Sequence, residues 1–320
     1  MKIVLLDGHS INPGDLSWDG LAALGELTVY DNTPNDRAEI IRRIGDAQAV
    51  YTSKVPIDAK VMDACPEMQY IGALATGYNI IDTAAAKARG IVVTNVPNYS
   101  TPAVAQLTIA LLLELACHVG HHDRAVKEGR WCTSQDFCFW DFPIVELQGK
   151  TLGIIGFGNI GRAVGRIARA MGMTVLAAGS RPCAEGEVVG RYVDLDTLLA
   201  QSDIISLHCP LFPETKHLIC GETLEKMKDG VLLLNTSRGP LIQQEDLAEA
   251  LRTGKVAGAG LDVVEVEPML PDNPLLTAPN CVITPHIAWA SVEARTRLIE
   301  IVTENLRCFI NGTPQNVVNG

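Results

Sequence analysis

The sequence predicts an α/β protein of two domains, each a doubly wound parallel sheet. Three observations carry this. Short β-rich runs alternate with helical patterns through the first hundred residues. A second alternating series starts near Thr151 and opens on a glycine-rich turn. One more helix follows that series, and it is expected to pack back on the first domain. The first domain is then discontinuous, 1–99 plus 287–320, and the second spans 100–286. A chain of 320 residues has room for both.

In the first series "KIVLLD", "LTVY", "AQAVYT", "QYIGALA" and "IVVTNV" read as strands. Segments near 18–24, 36–45, 57–64 and 82–89 read as the helices between them. Such alternation favours a parallel sheet covered on both faces. "STPAVAQLTIALLLELACHVG" then reads as one long helix, with Ser100 or Thr101 as N-cap and Pro102 in its first turn. The second series has strands at "TLGIIG", "TVLAA", "DIISLH", "GVLLLN", "VAGAGLDV" and "CVITP", with helices at 160–171 and 244–253. The helix after Pro285 covers roughly 290–310, and a polar tail follows it.

Hydrophobic residues make up 47% and charged residues 20%, the balance of a globular protein. A net charge of −11 argues against a general nucleic-acid footprint. The first apolar run ends at Asp7 and His9, too short for a signal-peptide core. "TIALLLELACHVG" contains Glu114 and falls short of a membrane span. The nine cysteines form no CxxC pair and read as reduced thiols of a cytoplasmic protein. Cys132 and Cys138 read as small packing residues, and His118, His121 and His122 as a solvated helix end. No metal site is expected.

"GIIGFGNIG" sets Gly156, Gly158 and Gly161 in GxGxxG spacing, directly after an apolar strand and opening a helix. Gly156 permits the tight turn, Gly158 lets backbone approach a pyrophosphate, and Gly161 lets helix and strand pack closely. The helix N-terminus offers free N–H groups to phosphate. An acid for the adenosine ribose should follow about 20 residues on. "TVLAAGSRP" puts Gly179, Ser180 and Arg181 there instead. No Asp or Glu lies between Glu146 and Glu185, while Lys150, Arg162, Arg166, Arg169 and Arg181 do. Ser180 can donate a hydrogen bond, and Arg181 can pair with phosphate oxygens. NADP(H) is therefore expected before NAD(H). The alternative is NAD(H) in a loose ribose site, with Arg181 solvated.

Three further segments bear on the reaction. Arg238 follows a strand, Asp262 and Glu267 stand at and beyond the end of the next, and His286 ends the last. C-terminal strand ends are where open α/β sheets bind ligands. An Arg can bind the carboxylate of a 2-keto acid. A His can protonate its carbonyl oxygen as hydride arrives at carbon, and a neighbouring acid favours the charged imidazole. Asp262 is read either as orienting the nicotinamide amide or as capping the loop it begins.

The segments "GYNIID", "NVPNYSTPAVAQ", "GIIGFGNIGRAVG", "SDIISLHCPLFPET", "NTSRGPLI", "GLDVVEVEP" and "TPHIAWAS", in this order, resemble the D-isomer-specific 2-hydroxyacid dehydrogenases over nearly the whole chain. Within that family the nearest branch is glycerate dehydrogenase/hydroxypyruvate reductase. The resemblance implies a flavodoxin-like substrate domain and a Rossmann nucleotide domain with an active-site cleft between them. It implies a catalytic trio of Arg238, Glu267 and His286, and substrate-carboxylate binding around Ala75, Thr76 and Gly77. Cofactor contacts are implied at Gly156, Gly158, Asn159, Ile160, Gly161, Ser180, Arg181, Cys209, Pro210, Thr236 and Asp262. Substrates implied are hydroxypyruvate/D-glycerate or glyoxylate/glycolate, with D-lactate or 3-phosphoglycerate as alternatives. A dinucleotide-sensing, corepressor-like binding protein is the alternative of another class. Two departures stand out: the absent ribose acid, and Gln106 where many members carry a glutamate.

Family members dimerise through the nucleotide domain, so a homodimer is implied. The segment "DFCFWDFP" gathers Phe137, Phe139, Trp140 and Phe142. Large apolar patches mark interfaces. Phe137 and Phe142 could equally fill their own core, whereas the resemblance implies that Trp140 crosses the dimer and borders the substrate.

Overall fold

The computed structural model describes residues 1–320. It divides into two compact units, Met1–Ser100 with Ala290–Gly320, and Thr101–Trp289.

Unit 1 is a five-stranded parallel sheet of β1 (Lys2–Leu5), β2 (Glu26–Val29), β3 (Ala49–Thr52), β4 (Tyr70–Ala73) and β5 (Val92–Thr94). The order β2-β1-β3-β4-β5 is the flavodoxin-like one. Every residue of β3 and β4 is buried, as continuous apolar strands covered on both faces require. The connecting helices are α1 (Asp19–Ala22), α2 (Arg37–Ile44), α3 (Ala59–Ala64) and α4 (Thr83–Ala88). Asp36, Asp58 and Asp82 start the last three, each accepting from a backbone N–H in the first turn.

Unit 2 begins with α5 (Thr101–Cys117) and α6 (Val119–Lys127). The single long helix expected here breaks at His118, whose φ is 51°, and the two parts meet at 58°. Seven parallel strands follow: β6 (Thr151–Ile155), β7 (Thr174–Ala178), β8 (Arg191–Tyr192), β9 (Ile204–Leu207), β10 (Val231–Asn235), β11 (Val256–Leu261) and β12 (Cys281–Ile283). Between them lie α7 (Asn159–Ala170), α8 (Ala184–Glu187), α9 (Leu195–Gln201), α10 (Gly221–Glu225) and α11 (Gln244–Thr253). The order β12-β11-β10-β9-β6-β7-β8 reverses direction between β6 and β9, which opens a crevice at their C-terminal ends. Strand β8 and helices α8, α9 and α10 are additions to the elements named from the sequence, each of seven residues or fewer.

Helix α5 lies on this sheet because β11 is "VAGAGL". A side chain at Gly260 would press on Leu111, and one at Gly258 on Leu115. With glycine at both positions, Leu111, Leu112 and Leu115 are buried. Each buried leucine contributes roughly 1.5–3 kcal/mol.

The last helix, α12 (Val292–Ile310), belongs to unit 1. It buries Leu298, Val302 and Leu306. Tyr51 of β3 donates its hydroxyl to the Val302 carbonyl at 3.1 Å. Arg295, almost fully buried, pairs with Asp15 and donates to the Ile11 carbonyl. The polar tail beyond is tied down along β5: Val318 donates to Val93, and the Asn319 side chain bridges Val93 and Ile91. No single helix is long and apolar enough to cross a membrane.

Candidate active site

The glycine turn joins β6 to α7 at the crevice. Gly156 has φ 92°, and any side chain there would collide with the Cys209 backbone. A side chain at Gly161 would strike the Gly156 carbonyl and Ile154. Gly158 faces open space. It is the N-cap of α7, and no side chain caps that end. Three close approaches and one gap over uncapped N–H groups make a cradle that fits a dinucleotide pyrophosphate. Asn159 is held by Arg162, which donates to its Oδ1 at 2.7 Å, and Ile160 is half-buried.

Beyond β7, the Ser180 hydroxyl accepts from the Phe157 N–H at 2.7 Å. This bond ties the end of β7 to the glycine turn and leaves the Ser180 O–H free to donate. Arg181 is exposed. Gly179 has φ 72°, left-handed backbone that side chains rarely adopt, so the position missing its acid also disfavours one conformationally. On the other side of β6, Cys209 is buried and abuts Gly156 through its backbone, and burial pushes its thiol up. Pro210 is exposed. Thr236 is buried, its hydroxyl sharing a 2.9 Å hydrogen bond with Thr108 of α5.

Strands β10, β11 and β12 are neighbours, with Asn235, Leu261 and Ile283 in register. Their continuations carry Arg238, Asp262 with Glu267, and His286. Nδ1 of His286 lies 2.6 Å from Oε2 of Glu267. His286 has φ 55°, a strained conformation of the kind that clusters at functional sites. Asp262, fully buried, holds that loop in place. Its carboxylate accepts from the Thr284 hydroxyl at 2.5 Å and from the Ile287 and Ala288 N–H groups at 2.9 and 2.8 Å. Both oxygens are used, the geometry of a loop cap. Arg238 is exposed and donates to the Ser237 carbonyl at 2.7 Å. Its turn is fixed by Asn235, which donates to the Arg238 carbonyl, and by Gly239, which lets the turn lie against the Val264 carbonyl. The structure thus joins His286 to Glu267 and sets the Arg238 turn against the loop that leads to Glu267. Ala75, Thr76 and Gly77 lie in unit 1, in the turn after β4. There Val96 donates to the Ala75 carbonyl, and the Thr76 hydroxyl donates to the Val96 carbonyl.

The chain matches the family model described as the D-isomer specific 2-hydroxyacid dehydrogenase NAD binding domain over residues 109–288. It is 57% identical to a hydroxypyruvate reductase from Blautia hydrogenotrophica, with all of both chains covered. The chain belongs to the D-isomer-specific 2-hydroxyacid dehydrogenase family. It is an enzyme of that type, acting with a nicotinamide cofactor on small 2-hydroxy or 2-keto acids. A glycerate dehydrogenase from Methylorubrum extorquens is 40% identical over 99% of this chain and 98% of its own. Among solved structures, an acyclic imino acid reductase in complex with NADPH and D-Arg superposes with a TM-score of 0.87. It is 31% identical and covers 99% of this chain and all of its own.

In this dehydrogenase the histidines of the α5–α6 break are engaged, unlike the solvated helix end expected. His121 and Arg130 both bind the Asp141 carboxylate, at 2.6 and 2.5 Å. Arg130 first, then His121, holds that carboxyl well below its usual range. The Phe142 ring lies 4.8 Å from both His118 and His121, and Arg130 covers Phe139. The aromatic segment is therefore fastened to α6 yet turned outward: Phe137 is 88% exposed and Trp140 66%. Phe137 and Phe142 do not fill the core of their own chain. Asp141, with both of its partners, had no periodic signal to reveal it. Nor had His208, at the end of β9, whose Nδ1 is buried without a partner while Nε2 meets the Ser206 hydroxyl at 2.8 Å.

Proposed function

We propose that this dehydrogenase reduces hydroxypyruvate to D-glycerate, with glyoxylate as a second substrate, and that it favours NADPH over NADH. The 2.6 Å pairing of His286 with Glu267 at the strand ends carries the reading. With Nδ1 committed to Glu267, Nε2 of His286 is left to give a proton to the substrate's carbonyl oxygen. The Glu267 carboxylate balances the imidazolium that precedes transfer. Arg238 has the planar fork that binds a carboxylate, and its exposure leaves it able to do so. Ala75, Thr76 and Gly77 are assigned to substrate-carboxylate binding. The nicotinamide cofactor, when bound, supplies the hydride. Gly156, Gly158 and Gly161, with Asn159 and Ile160, would hold its pyrophosphate, and Cys209, Pro210, Thr236 and Asp262 would line its path through their backbone. Ser180 and Arg181 would take a 2′-phosphate. The similarity to a hydroxypyruvate reductase and a glycerate dehydrogenase supports the substrate choice.

The working form is assigned as a homodimer. Trp131, Phe137, Trp140, Phe142 and Ile144 are all exposed within one short segment. Patches of this kind mark interfaces, and tryptophan often dominates their energy. Trp140 would cross to the partner subunit and border its substrate. The test is a matrix of hydroxypyruvate, glyoxylate and pyruvate against NADPH and NADH, followed through the absorbance of the reduced nicotinamide. Higher kcat/KM with hydroxypyruvate and NADPH is expected. A preference for pyruvate would overturn the substrate assignment, and a preference for NADH the cofactor assignment.

A further inference from the structure

In unit 1 the turn after β4 is oriented from one side. The Ala75 carbonyl accepts from the Val96 N–H at 3.0 Å. The Thr76 carbonyl accepts from the Asn95 side-chain amide at 2.7 Å. Both carbonyls are thereby turned towards the chain just beyond β5. A trans peptide is planar, with its N–H opposite its carbonyl. The N–H groups of Thr76 and Gly77 therefore point the other way, away from Asn95 and Val96. Neither meets an acceptor within the protein. Two successive N–H groups aimed alike make a small anion-binding concavity.

Asn95 is itself held from two directions. Its carbonyl accepts from the side-chain amide of Asn305 in α12 at 3.0 Å. Its N–H donates to the Asn316 carbonyl at 3.2 Å. The Asn316 side chain closes the set by donating to Oδ1 of Asn305 at 2.8 Å. Asn305 is fully buried, so these two bonds decide which way its amide faces. Asn316 has φ 52°, left-handed backbone that asparagine tolerates, and Val317 beside it bridges to Thr94 of β5. An unbroken line of hydrogen bonds thus runs from the tail, through α12, to the peptide between Thr76 and Gly77. Thr76 is exposed, so the network buries little at its far end. What it fixes there is direction.

We propose that Asn95 is a positioning residue for the substrate carboxylate, and that the 313–320 tail, through Asn316 and Asn305, sets its aim. The inference rests on the assignment of Ala75, Thr76 and Gly77 to substrate-carboxylate binding. It adds the groups that align the two N–H donors before the anion arrives. Donors already aligned lose no freedom on binding, so loosening them weakens affinity. The Asn95 side chain acts through the Thr76–Gly77 peptide and not on the substrate itself.

The experiment combines steady-state kinetics on hydroxypyruvate with the inhibition constant of oxamate, an unreactive carboxylate analogue. Asn95→Ala should raise KM and the oxamate constant together by about tenfold, in the range for one lost hydrogen bond. kcat should stay within about threefold, the mark of lost binding and not of lost chemistry, and NADPH affinity should be unchanged. Asn95→Asp keeps the shape but sets an acceptor oxygen against the Thr76 carbonyl, and should do at least as much. Asn316→Gly keeps the left-handed backbone, removes the bond to Asn305, and should give the same change in smaller measure. Gly77→Pro deletes one of the two N–H donors without breaking a hydrogen bond inside the protein, and so separates the two readings. If it raises KM and the oxamate constant while both Asn95 variants leave them unmoved, the positioning role is overturned, whatever stability those variants have lost. If Gly77→Pro also leaves them unmoved, the turn does not hold the carboxylate, and the Asn95 assignment falls with it. An Asn316→Gly enzyme identical to the wild type overturns the part given to the tail.

Discussion

Asp262 grips the backbone of His286 rather than its ring: the His286 N–H donates to the Asp262 carbonyl at 2.8 Å. The Asp262 side chain takes three more donors from the same loop, and the imidazole is left to Glu267. Asp262→Asn keeps the shape but replaces one acceptor oxygen with a donor that faces other donors. It should cost about 1–3 kcal/mol of stability, the range for an unsatisfied buried group. kcat should fall with it, while KM for the keto acid changes little. Chemical denaturation and steady-state kinetics check this. A variant of full stability and activity would remove Asp262 as the loop's anchor.

Removal of the proposed proton donor should be harsher. His286→Ala is expected to lower kcat by about 100-fold or more, the usual share of general acid catalysis. NADPH affinity should survive, because the glycine turn is untouched. Arg238→Ala should raise KM and lower kcat together. Unaltered kcat/KM in either variant would take that residue out of the reaction.

Cofactor choice should follow Arg181. Arg181→Ala is expected to weaken NADPH by roughly 1.5–3 kcal/mol, as for a hydrogen bond to a charged group. NADH should be nearly unaffected. Gly179→Asp would supply the absent acid, but at φ 72° it also carries a backbone penalty of about 1–2 kcal/mol. A drop in its unfolding midpoint should accompany any shift towards NADH. Equal loss of both cofactors in Arg181→Ala would contradict the 2′-phosphate assignment.

Trp140 should tune the range of substrates. Trp140→Ala is expected to narrow the gap in kcat/KM between hydroxypyruvate and bulkier 2-keto acids, with kcat on hydroxypyruvate changed by less than about threefold, under 1 kcal/mol. A substrate profile identical to the wild type would show that the ring lies away from any substrate.

His208 gives the fold a pH limit of its own. Burial pushes its imidazole down to about 4, and its Nδ1 has no acceptor for a second proton. The unfolded chain takes up that proton near the ordinary value of about 6.5. Between those values the unfolded state binds more protons, so stability is full above 6.5 and is lost as pH falls towards 4. The loss is on the order of 3 kcal/mol. Urea midpoints of wild type and His208→Gln across this range should diverge, with the wild type falling more steeply. Parallel curves would count against a neutral, buried His208.

Much of this was legible in the chain because it depends on short-range pattern. β3, β4 and β10 read as strands since each is one continuous apolar run, and the glycine turn declared itself by spacing after a strand. The proposed site residues could be marked from the sequence because Arg238 and His286 stand just past strands and Glu267 lies in the loop that follows β11. What could not be read was which groups meet. Asp262 closes on Ile287 and Ala288, and Ser180 on Phe157, across more than twenty residues. Such contacts follow from strand order and register, which no local period encodes. The break at His118 was hidden for a related reason: the apolar run of α5 continues to the break, and only a left-handed backbone stops it.

Helix α12 is made after every residue of the 101–289 unit, yet it completes the unit whose strands are made first. During synthesis the early sheet must therefore wait with Tyr51 lacking its acceptor and with the face that receives Leu298, Val302 and Leu306 wet. The 101–289 unit meets no such delay and can close its core while the chain is still growing. The first hundred residues to be translated are thus the last to mature. In that interval it presents an open apolar surface to chaperones and to neighbouring nascent chains.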